Sequence, residues 1–147
     1  MKKLIMIMVC TFWLVFIFFN SSQTGSISHT RSIRFVRSFF GNLFGNFNTS
    51  QLDMIIRKCA HGFEFMILAV LLFFLFSSIK VNRINVIIYS LFIVILIAVF
   101  DETLQLFIKD RTSKVTDVLI DFLGGIIGII FAEIIYSMFR FIKNKKK

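Results

Sequence analysis

Four stretches of mainly apolar residues alternate with polar segments along the chain. They lie at about residues 4–19, 60–79, 86–107 and 117–141. A helix rises about 1.5 Å per residue, so twenty residues cover the roughly 30 Å hydrocarbon core of a bilayer. The pattern therefore predicts four transmembrane α-helices, followed by a short basic tail at residues 142–147.

The first stretch shares some features with a signal sequence, because Lys2 and Lys3 precede it. A cleaved signal normally has a shorter apolar core and small residues at its cleavage site. Here the apolar run ends in Phe18-Phe19-Asn20, without a site of that kind. The sequence therefore predicts an uncleaved first span.

A different pattern occupies the connection between the first two stretches. Within residues 31–47, apolar side chains recur every three or four positions, with arginines between them. This spacing is typical of an amphipathic helix that lies among the lipid head groups. It fits equally well a helix that packs over the bundle. The apolar positions are Ile33, Val36, Phe40, Leu43, Phe44 and Phe47.

The composition indicates an integral membrane protein. Hydrophobic residues make up 57% of the chain, whereas ordinary globular proteins contain roughly 45–50% apolar residues with glycine included. No polar segment is long enough to form a separate soluble domain. We therefore expect residues 1–147 to form one all-α domain, a membrane four-helix bundle with an interfacial helix between spans one and two.

The formal net charge of +9 does not indicate a nucleic-acid partner, because the basic residues flank the apolar stretches instead of forming one patch. Such flanking residues interact with anionic lipid head groups and influence the orientation of the spans. The dense basic cluster at residues 143–147 favours both termini in the cytoplasm. Membrane lipids are the predicted partners.

The two cysteines predict neither a disulfide nor a zinc site. Cys10 lies midway along the first stretch and Cys59 at the edge of the second, so their depths in the membrane should differ. The sequence contains no Cys-x-x-Cys pair or Cys/His cluster. Both residues are expected to act as unpaired, small apolar side chains.

Acidic residues concentrate at one end of the predicted bundle. With four spans, the start of the second, the end of the third and the start of the fourth lie on the same side of the membrane. Of the eight acidic residues, only Glu133 falls elsewhere. Ionisable residues in spans normally face the bundle interior or a wet cavity. The sequence therefore predicts a polar vestibule just below the outer membrane surface.

Helical spacing places the polar residues of the vestibule on shared helix faces, as in the pairs His61/Glu64 and Asp101/Gln105. The acids could share protons, and the imidazole could act as an acid or base in acyl, glycosyl or phosphoryl chemistry. Basic side chains could bind a phosphate or carboxylate group. The candidate catalytic residues are His61, Glu64, Asp101, Glu102 and Asp117, and the candidate ligand-binding residues are Arg57, Lys58, Gln105, Arg111 and Asp121.

Other uses of the same residues stay open. Carboxylates and an imidazole can hold a divalent cation, but the sequence assigns no metal ligand and no cofactor. The cluster could also be a structural charge network in which Arg57, Lys58 and Arg111 neutralise some of the acids. No nucleophile motif or phosphate-binding glycine loop is present, so the sequence does not decide whether the protein is an enzyme.

Small residues continue along the fourth stretch below Asp121. Gly124, Gly125 and Gly128 recur near one face, with Ala132 beyond them. Small residues let helices approach closely in lipid. We therefore expect this face to be a helix-packing surface.

Several segments of the chain together resemble a known family. They are Ser21-Ser22-Gln23, Arg57-Lys58-Cys59-Ala60-His61-Gly62-Phe63-Glu64, Asp101-Glu102-Thr103-Leu104-Gln105, Arg111 and Asp117-Val118-Leu119-Ile120-Asp121-Phe122-Leu123-Gly124. In order and spacing they are similar to the VanZ-like family, over nearly the whole chain. Members of that family are small bacterial multi-span membrane proteins, and its founding member is associated with resistance to the glycopeptide teicoplanin.

The resemblance implies a bacterial plasma-membrane protein linked to the cell envelope. The position of Asp121 is often Asn in relatives, so the resemblance does not imply a carboxylate there. We expect a protein whose outward-facing vestibule binds a lipid-linked or glycopeptide-related ligand. In a further alternative, the protein also modifies that ligand. The competing hypothesis is a non-enzymatic accessory or scaffold protein whose charge cluster is structural. The residues that carry the match are His61, Glu64, Asp101, Glu102, Gln105, Arg111 and Asp117.

Overall fold

Four long α-helices make up most of the protein in the computed structural model, which describes residues 2–26, 30, 34, 49–79, 81–109, 111 and 113–145. In chain order they are α1 (Lys2–Ser21), α2 (Thr49–Ser77), α3 (Arg83–Gln105) and α4 (Val115–Lys145). Each contains a segment long and apolar enough to cross a membrane. The predicted all-α membrane four-helix bundle is confirmed.

The helix boundaries differ from the predicted spans mainly at α2. The sequence pattern predicts a second span from residue 60, whereas the helix α2 begins at Thr49 and includes Arg57 and Lys58. An apolar run marks only the part of a helix that lies in hydrocarbon, so it misses a polar extension. At the other end of the chain, α4 continues through Lys145 instead of ending at residue 141.

The predicted amphipathic helix at residues 31–47 lies outside the described residues, apart from Arg34. The two interpretations of that segment therefore stay predictions.

Helices that are consecutive in the chain run antiparallel, so α1 and α3 end where α2 and α4 begin. We call this the polar end of the bundle. The most extensive packing joins α2 and α4, both of these helices pack against α3, and α1 packs against α2 and α3. The core contains Ile17 of α1, Phe65, Leu68 and Phe73 of α2, and Val94 of α3, all fully buried. Many large apolar side chains on the outer faces are exposed and contact lipid in a membrane.

Glycines bring α2 and α4 into backbone contact, as the small-residue pattern predicted. A Cβ atom added at Gly124 would overlap the Gly62 carbonyl group, and one added at Gly128 would overlap the Met66 carbonyl group. At Gly125 an added Cβ would lie 2.6 Å from Val94 Cγ1, on α3. Gly124, Gly125 and Gly128 of α4 therefore lie where a side chain does not fit without movement of the neighbouring helix.

An ion pair closes the end of the bundle opposite the polar end. Arg83, at the start of α3, donates from Nε to Glu133 Oε1 at 2.9 Å and also from Nη2 to Glu133 Oε2. Its guanidinium lies 4.1 Å from the centre of the Tyr136 ring. A bidentate Arg–carboxylate pair is among the stronger polar contacts. Glu133, which lies at this end of the described bundle, is therefore paired between α3 and α4.

The two cysteines are free, as predicted. Cys10 is buried in α1 and Cys59 is exposed on α2.

The backbone contact between α2 and α4 predicts opposite effects for two glycine substitutions. Gly124→Ala should lower the free energy of unfolding by about 1–3 kcal/mol, because the added methyl group overlaps backbone that cannot move aside easily. Gly62→Ala is the matched control, since its Cβ would lie 3.6 Å from Ile120, an ordinary contact. Alanine is the better helix former, so this variant should be as stable as the wild type or more stable. Reversible unfolding by SDS in mixed micelles measures both, and equal stabilities for the two variants would contradict the close contact.

Candidate polar site at one end of the bundle

The deepest part of the polar end is formed by the last turns of α3. Asp101 is completely buried, and Glu102 and Gln105 are each 5% exposed. Gln105 donates from Nε2 to Asp101 Oδ2 at 2.9 Å, so these two residues share a helix face as predicted. The Ser21 hydroxyl of α1 faces the same carboxylate. Within the described residues, however, neither Ser21 Oγ nor Asp101 Oδ1 has a hydrogen bond of normal geometry.

Arg111 connects the loop after α3 to the end of α1. Its Nε donates to the Gln23 carbonyl oxygen at 3.1 Å, its Nη2 to the Asn20 carbonyl oxygen at 3.2 Å, and its Nη1 to Gln105 Oε1 at 3.3 Å. Burial lowers the pKa of the Arg111 guanidinium from its ordinary value, and the charge of Arg57 lowers it further. Arginine nevertheless stays protonated in proteins. A buried positive charge therefore lies beside the acidic residues.

The start of α4 is tied to α3 through Glu102. Its Oε2 accepts a hydrogen bond from the Lys114 backbone N–H at 2.9 Å. Lys114 directly precedes α4, and free N–H groups at a helix start favour a negative charge. The bond therefore stabilises the Glu102 carboxylate and positions the first turn of α4.

Two residues of α2 face α1. Glu64 Oε1 accepts a hydrogen bond from Asn20 Nδ2 at 2.7 Å, and the Glu64 carbonyl oxygen accepts one from Trp13 Nε1 at 3.0 Å. The other carboxylate oxygen, Oε2, lies 3.6 Å from His61 Nδ1. That separation is too long for a hydrogen bond, and neither atom has one elsewhere in the described part of the chain.

The acidic residues of α4 lie in two different environments. Asp117 forms an ion pair with Lys58 of α2. Asp121, one turn deeper, is only 2% exposed. Across the ranges that the structure describes, its carboxylate has no hydrogen bond and no ion pair.

These residues surround a polar cavity of about 110 Å³. A second cavity, of about 160 Å³, lies toward α1 and is lined in part by Asn20, Gln23 and Glu64. Arg57, His61 and Arg111 line both, so they form the wall between the two. The residues lining the first, which we call the polar cavity, are Met54, Arg57, Lys58, His61, Glu102, Gln105, Arg111, Lys114, Asp117, Ile120 and Asp121.

Comparison with known proteins identifies the family. Residues 6–136 match the family described as VanZ/LLP1. The chain belongs to the VanZ/LLP1 family. The matched region includes both cavities and leaves out the start of α1 and the basic C-terminal residues. The chain shows significant similarity to no curated protein and to no solved structure.

The ten residues singled out in this VanZ/LLP1 protein come together at the polar end. Glu64 lines only the second cavity, and Asp101 is buried behind the polar cavity. The other eight line the polar cavity, and they are Arg57, Lys58, His61, Glu102, Gln105, Arg111, Asp117 and Asp121. Connectivity alone predicted this convergence.

The contribution of α1 was missed. The sequence argument brought together the ends of three spans, whereas the end of α1 supplies a fourth side of the site. Asn20 and Trp13 bind Glu64, and backbone carbonyl groups of Asn20 and Gln23 bind Arg111. The available signal was the polar sequence Asn20-Ser21-Ser22-Gln23 directly after the first apolar stretch. None of these side chains is ionisable, so the cost of burying charge in hydrocarbon does not single them out.

Three carboxylates in this VanZ/LLP1 site are arranged so that they could hold a metal ion. Asp101, Glu102 and Asp121 each offer one oxygen, and these three atoms lie within 4.8 Å of one another. His61 and Glu64 do not belong to that group. The polar end therefore contains two distinct groups of residues, a cluster of three carboxylates and the His61–Glu64 pair.

The forked contacts of Arg111 predict that lysine cannot replace it. Arg111→Lys keeps the positive charge but loses the planar group that reaches three acceptors at once. The free energy of unfolding should fall by about 1–3 kcal/mol, the usual cost of losing hydrogen bonds to a charged group. Arg140→Lys, at an exposed position of α4, is the matched control and should have no measurable effect. Both are measured by SDS-induced unfolding in mixed micelles, and a stable Arg111→Lys protein would show that the fork does not hold α1 in place.

Proposed function

We propose that this VanZ/LLP1 protein binds a lipid-linked or glycopeptide-related ligand at the surface of a bacterial plasma membrane. Its polar cavity then acts as an outward-facing vestibule, and both chain termini lie in the cytoplasm. The observation that carries the proposal is a cavity at the polar end lined by both cationic and anionic side chains. Intramembrane charges are costly and are usually found where they serve a function.

The cationic side chains keep donors available for an anionic head group. Lys58 has three N–H donors, and one is used in the ion pair with Asp117. Arg111 has five, and three are used by backbone and side-chain oxygens. A phosphate or carboxylate group entering the polar cavity would therefore meet N–H groups of both residues, and charge-assisted hydrogen bonds of this kind are strong.

An apolar groove next to the polar cavity supports a ligand with a hydrocarbon chain. The groove has a volume of about 450 Å³ and runs between α2 and α4. Lys58 and Ile120 line both the groove and the polar cavity, so the two are continuous. The backbone contact at Gly62 and Gly124 forms its floor. A lipid-linked molecule would place its chain in the groove and its charged group beside Lys58.

The proposal is tested by direct binding to the purified full-length protein in detergent. The ligand is a polyprenyl diphosphate, inorganic diphosphate serves for comparison, and the fluorescence of Trp13, the single tryptophan, reports binding. We expect the lipid-linked compound to bind at least about tenfold more tightly than diphosphate, since burying a hydrocarbon chain adds to the affinity. Lys58→Gln should weaken binding by about tenfold, because one charge-assisted hydrogen bond contributes about 1.5–3 kcal/mol.

Lys143→Gln is the matched control for that experiment, since Lys143 is exposed near the end of α4, and its affinity should equal that of the wild type. Equal affinity of Lys58→Gln and the wild type would contradict the proposed site. Absence of binding to both compounds would favour the alternative function, a scaffold protein whose charge cluster is structural.

A second candidate function is chemical modification of the bound ligand. It is favoured by one observation, the 3.6 Å separation of His61 Nδ1 and Glu64 Oε2 beside both cavities. Neither atom has a hydrogen bond in the described part of the chain. An imidazole and a carboxylate this close can exchange a proton with a ligand, as general acid–base catalysis requires.

If the pair is catalytic, incubation with envelope lipids should yield products of changed mass, detected by mass spectrometry. His61→Gln and Glu64→Gln should each lower the rate by at least about a hundredfold, the usual contribution of a positioned acid or base. Lys143→Gln, at an exposed position near the end of α4, should keep the wild-type rate. Unchanged masses with the wild-type protein would restrict the function to binding.

A further inference from the structure

Three carboxylates are crowded together at the depth where α3 and α4 meet. Asp101 is completely buried, Glu102 is 5% exposed and Asp121 is 2% exposed. One oxygen of each lies within 4.8 Å of the other two. Like charges this close repel one another strongly in a low-dielectric environment. Such a cluster is stable only if protons or a cation compensate its charge.

The basic residues of the described chain do not supply that compensation through direct contact. None of them forms an ion pair with Asp101, Glu102 or Asp121. Lys58 pairs instead with Asp117, one turn above Asp121. Arg111 directs three of its donors to backbone carbonyl groups and to the Gln105 side-chain oxygen. Lys58 and Arg111 therefore make their direct contacts with other acceptors, and Arg111 acts on Asp101 and Glu102 only through its nearby charge.

Unused oxygen atoms give independent support for a ligand. Asp101 Oδ1 is fully buried and has no hydrogen bond of normal geometry with any described residue, although the Ser21 hydroxyl faces this carboxylate. The nearly buried Asp121 carboxylate lines the polar cavity and is likewise unpaired within the described ranges. A buried polar atom without a partner is expensive. Both side chains therefore offer lone pairs that the described protein atoms do not use.

We propose that Asp101, Glu102 and Asp121 bind one divalent cation of the hard, oxygen-preferring class, Mg²⁺ or Ca²⁺. These ions select carboxylate and water oxygens, whereas the sulfur and nitrogen ligands typical of zinc are missing from this group of three. Calcium–oxygen bonds measure about 2.3–2.6 Å and magnesium–oxygen bonds about 2.0–2.1 Å. Two oxygens bound to the same ion are therefore at most about 4–5 Å apart, and the three oxygens, which lie within 4.8 Å of one another, are close enough together to share one ion.

The polar cavity would provide the entry path and the remaining ligands. Glu102 and Asp121 line its wall, so an ion held by them keeps coordination positions open toward water. Asp101 closes the site from the bundle interior. This cation site does not depend on the proposed ligand, because the carboxylates alone define it.

Metal binding alone tests the inference, without any lipid ligand. The full-length protein is purified in a zwitterionic detergent, treated with EDTA, and titrated with Mn²⁺ as a spectroscopic substitute followed by electron paramagnetic resonance. We expect one ion bound per chain, displaced by Mg²⁺ or Ca²⁺, and an unfolding midpoint that rises with the concentration of either ion, since ligands that bind the folded state stabilise it. Binding of no ion, or of several weak ones, would overturn the inference.

Two variants show whether the three carboxylates are the ligands. Asp121→Asn breaks no hydrogen bond among the described residues and should fold normally. It should weaken binding by at least about tenfold, since even residues that only orient a ligand change metal affinity by 10–100-fold. Its unfolding midpoint in EDTA should be equal to or above that of the wild type, because one repelling charge is gone.

Glu102→Gln should weaken metal binding to a similar extent, and Glu133→Gln is its matched control at the opposite end of the bundle, with wild-type affinity expected. If Asp121→Asn did not fold, the comparison of Glu102→Gln with Glu133→Gln would show whether the carboxylates of the cluster bind the ion. Unchanged affinity in Glu102→Gln, or equal loss in Glu133→Gln, would overturn the assignment of these carboxylates as the ligands of the ion.

Discussion

The backbone contact between α2 and α4 at Gly62 and Gly124 determines the geometry of the polar end. Lys58 lies one turn before Gly62, and Asp121 lies nearly one turn before Gly124. When the two helices touch at the glycines, these polar residues face each other across a narrow gap. A side chain at the contact would widen that gap, separate Lys58 from Asp117, and open the polar cavity to lipid. The small residues thus determine the geometry of the polar end as well as the packing of the two helices.

Charge burial explains why the polar end is built from all four helices. A carboxylate in hydrocarbon needs hydrogen bonds or a counter-charge from its neighbours. Asn20 of α1 supplies one for Glu64, and the backbone N–H of Lys114 before α4 supplies one for Glu102. Gln105 supplies one for Asp101, whereas Asp121 has none among the described residues. The carboxylates of the polar end are thus unevenly satisfied, whereas at the opposite end Glu133 is paired with Arg83.

Most of the fold could be predicted because the bilayer imposes simple requirements. Four apolar runs of membrane length give four spans, and four spans place alternate helix ends on one side. The same logic does not give the start of α2, which lies at Thr49, because the predicted span from residue 60 covers only the apolar part of the helix. Outside the hydrocarbon core of the bilayer, a polar segment of similar amino-acid composition can be either helical or irregular. An apolar pattern therefore locates the membrane but does not locate the end of a helix.

The sequence by itself determined the number of spans, the end of the bundle that carries the acids, and the helix face that carries the glycines. These depend on hydrophobicity and helical period, which are local properties of the chain. Only the tertiary structure decided which partners meet, such as Lys58 with Asp117 and Asn20 with Glu64, 44 residues apart. Partner choice depends on the rotation and tilt of each helix about its axis. Packing between distant segments determines those angles, so no local pattern encodes them.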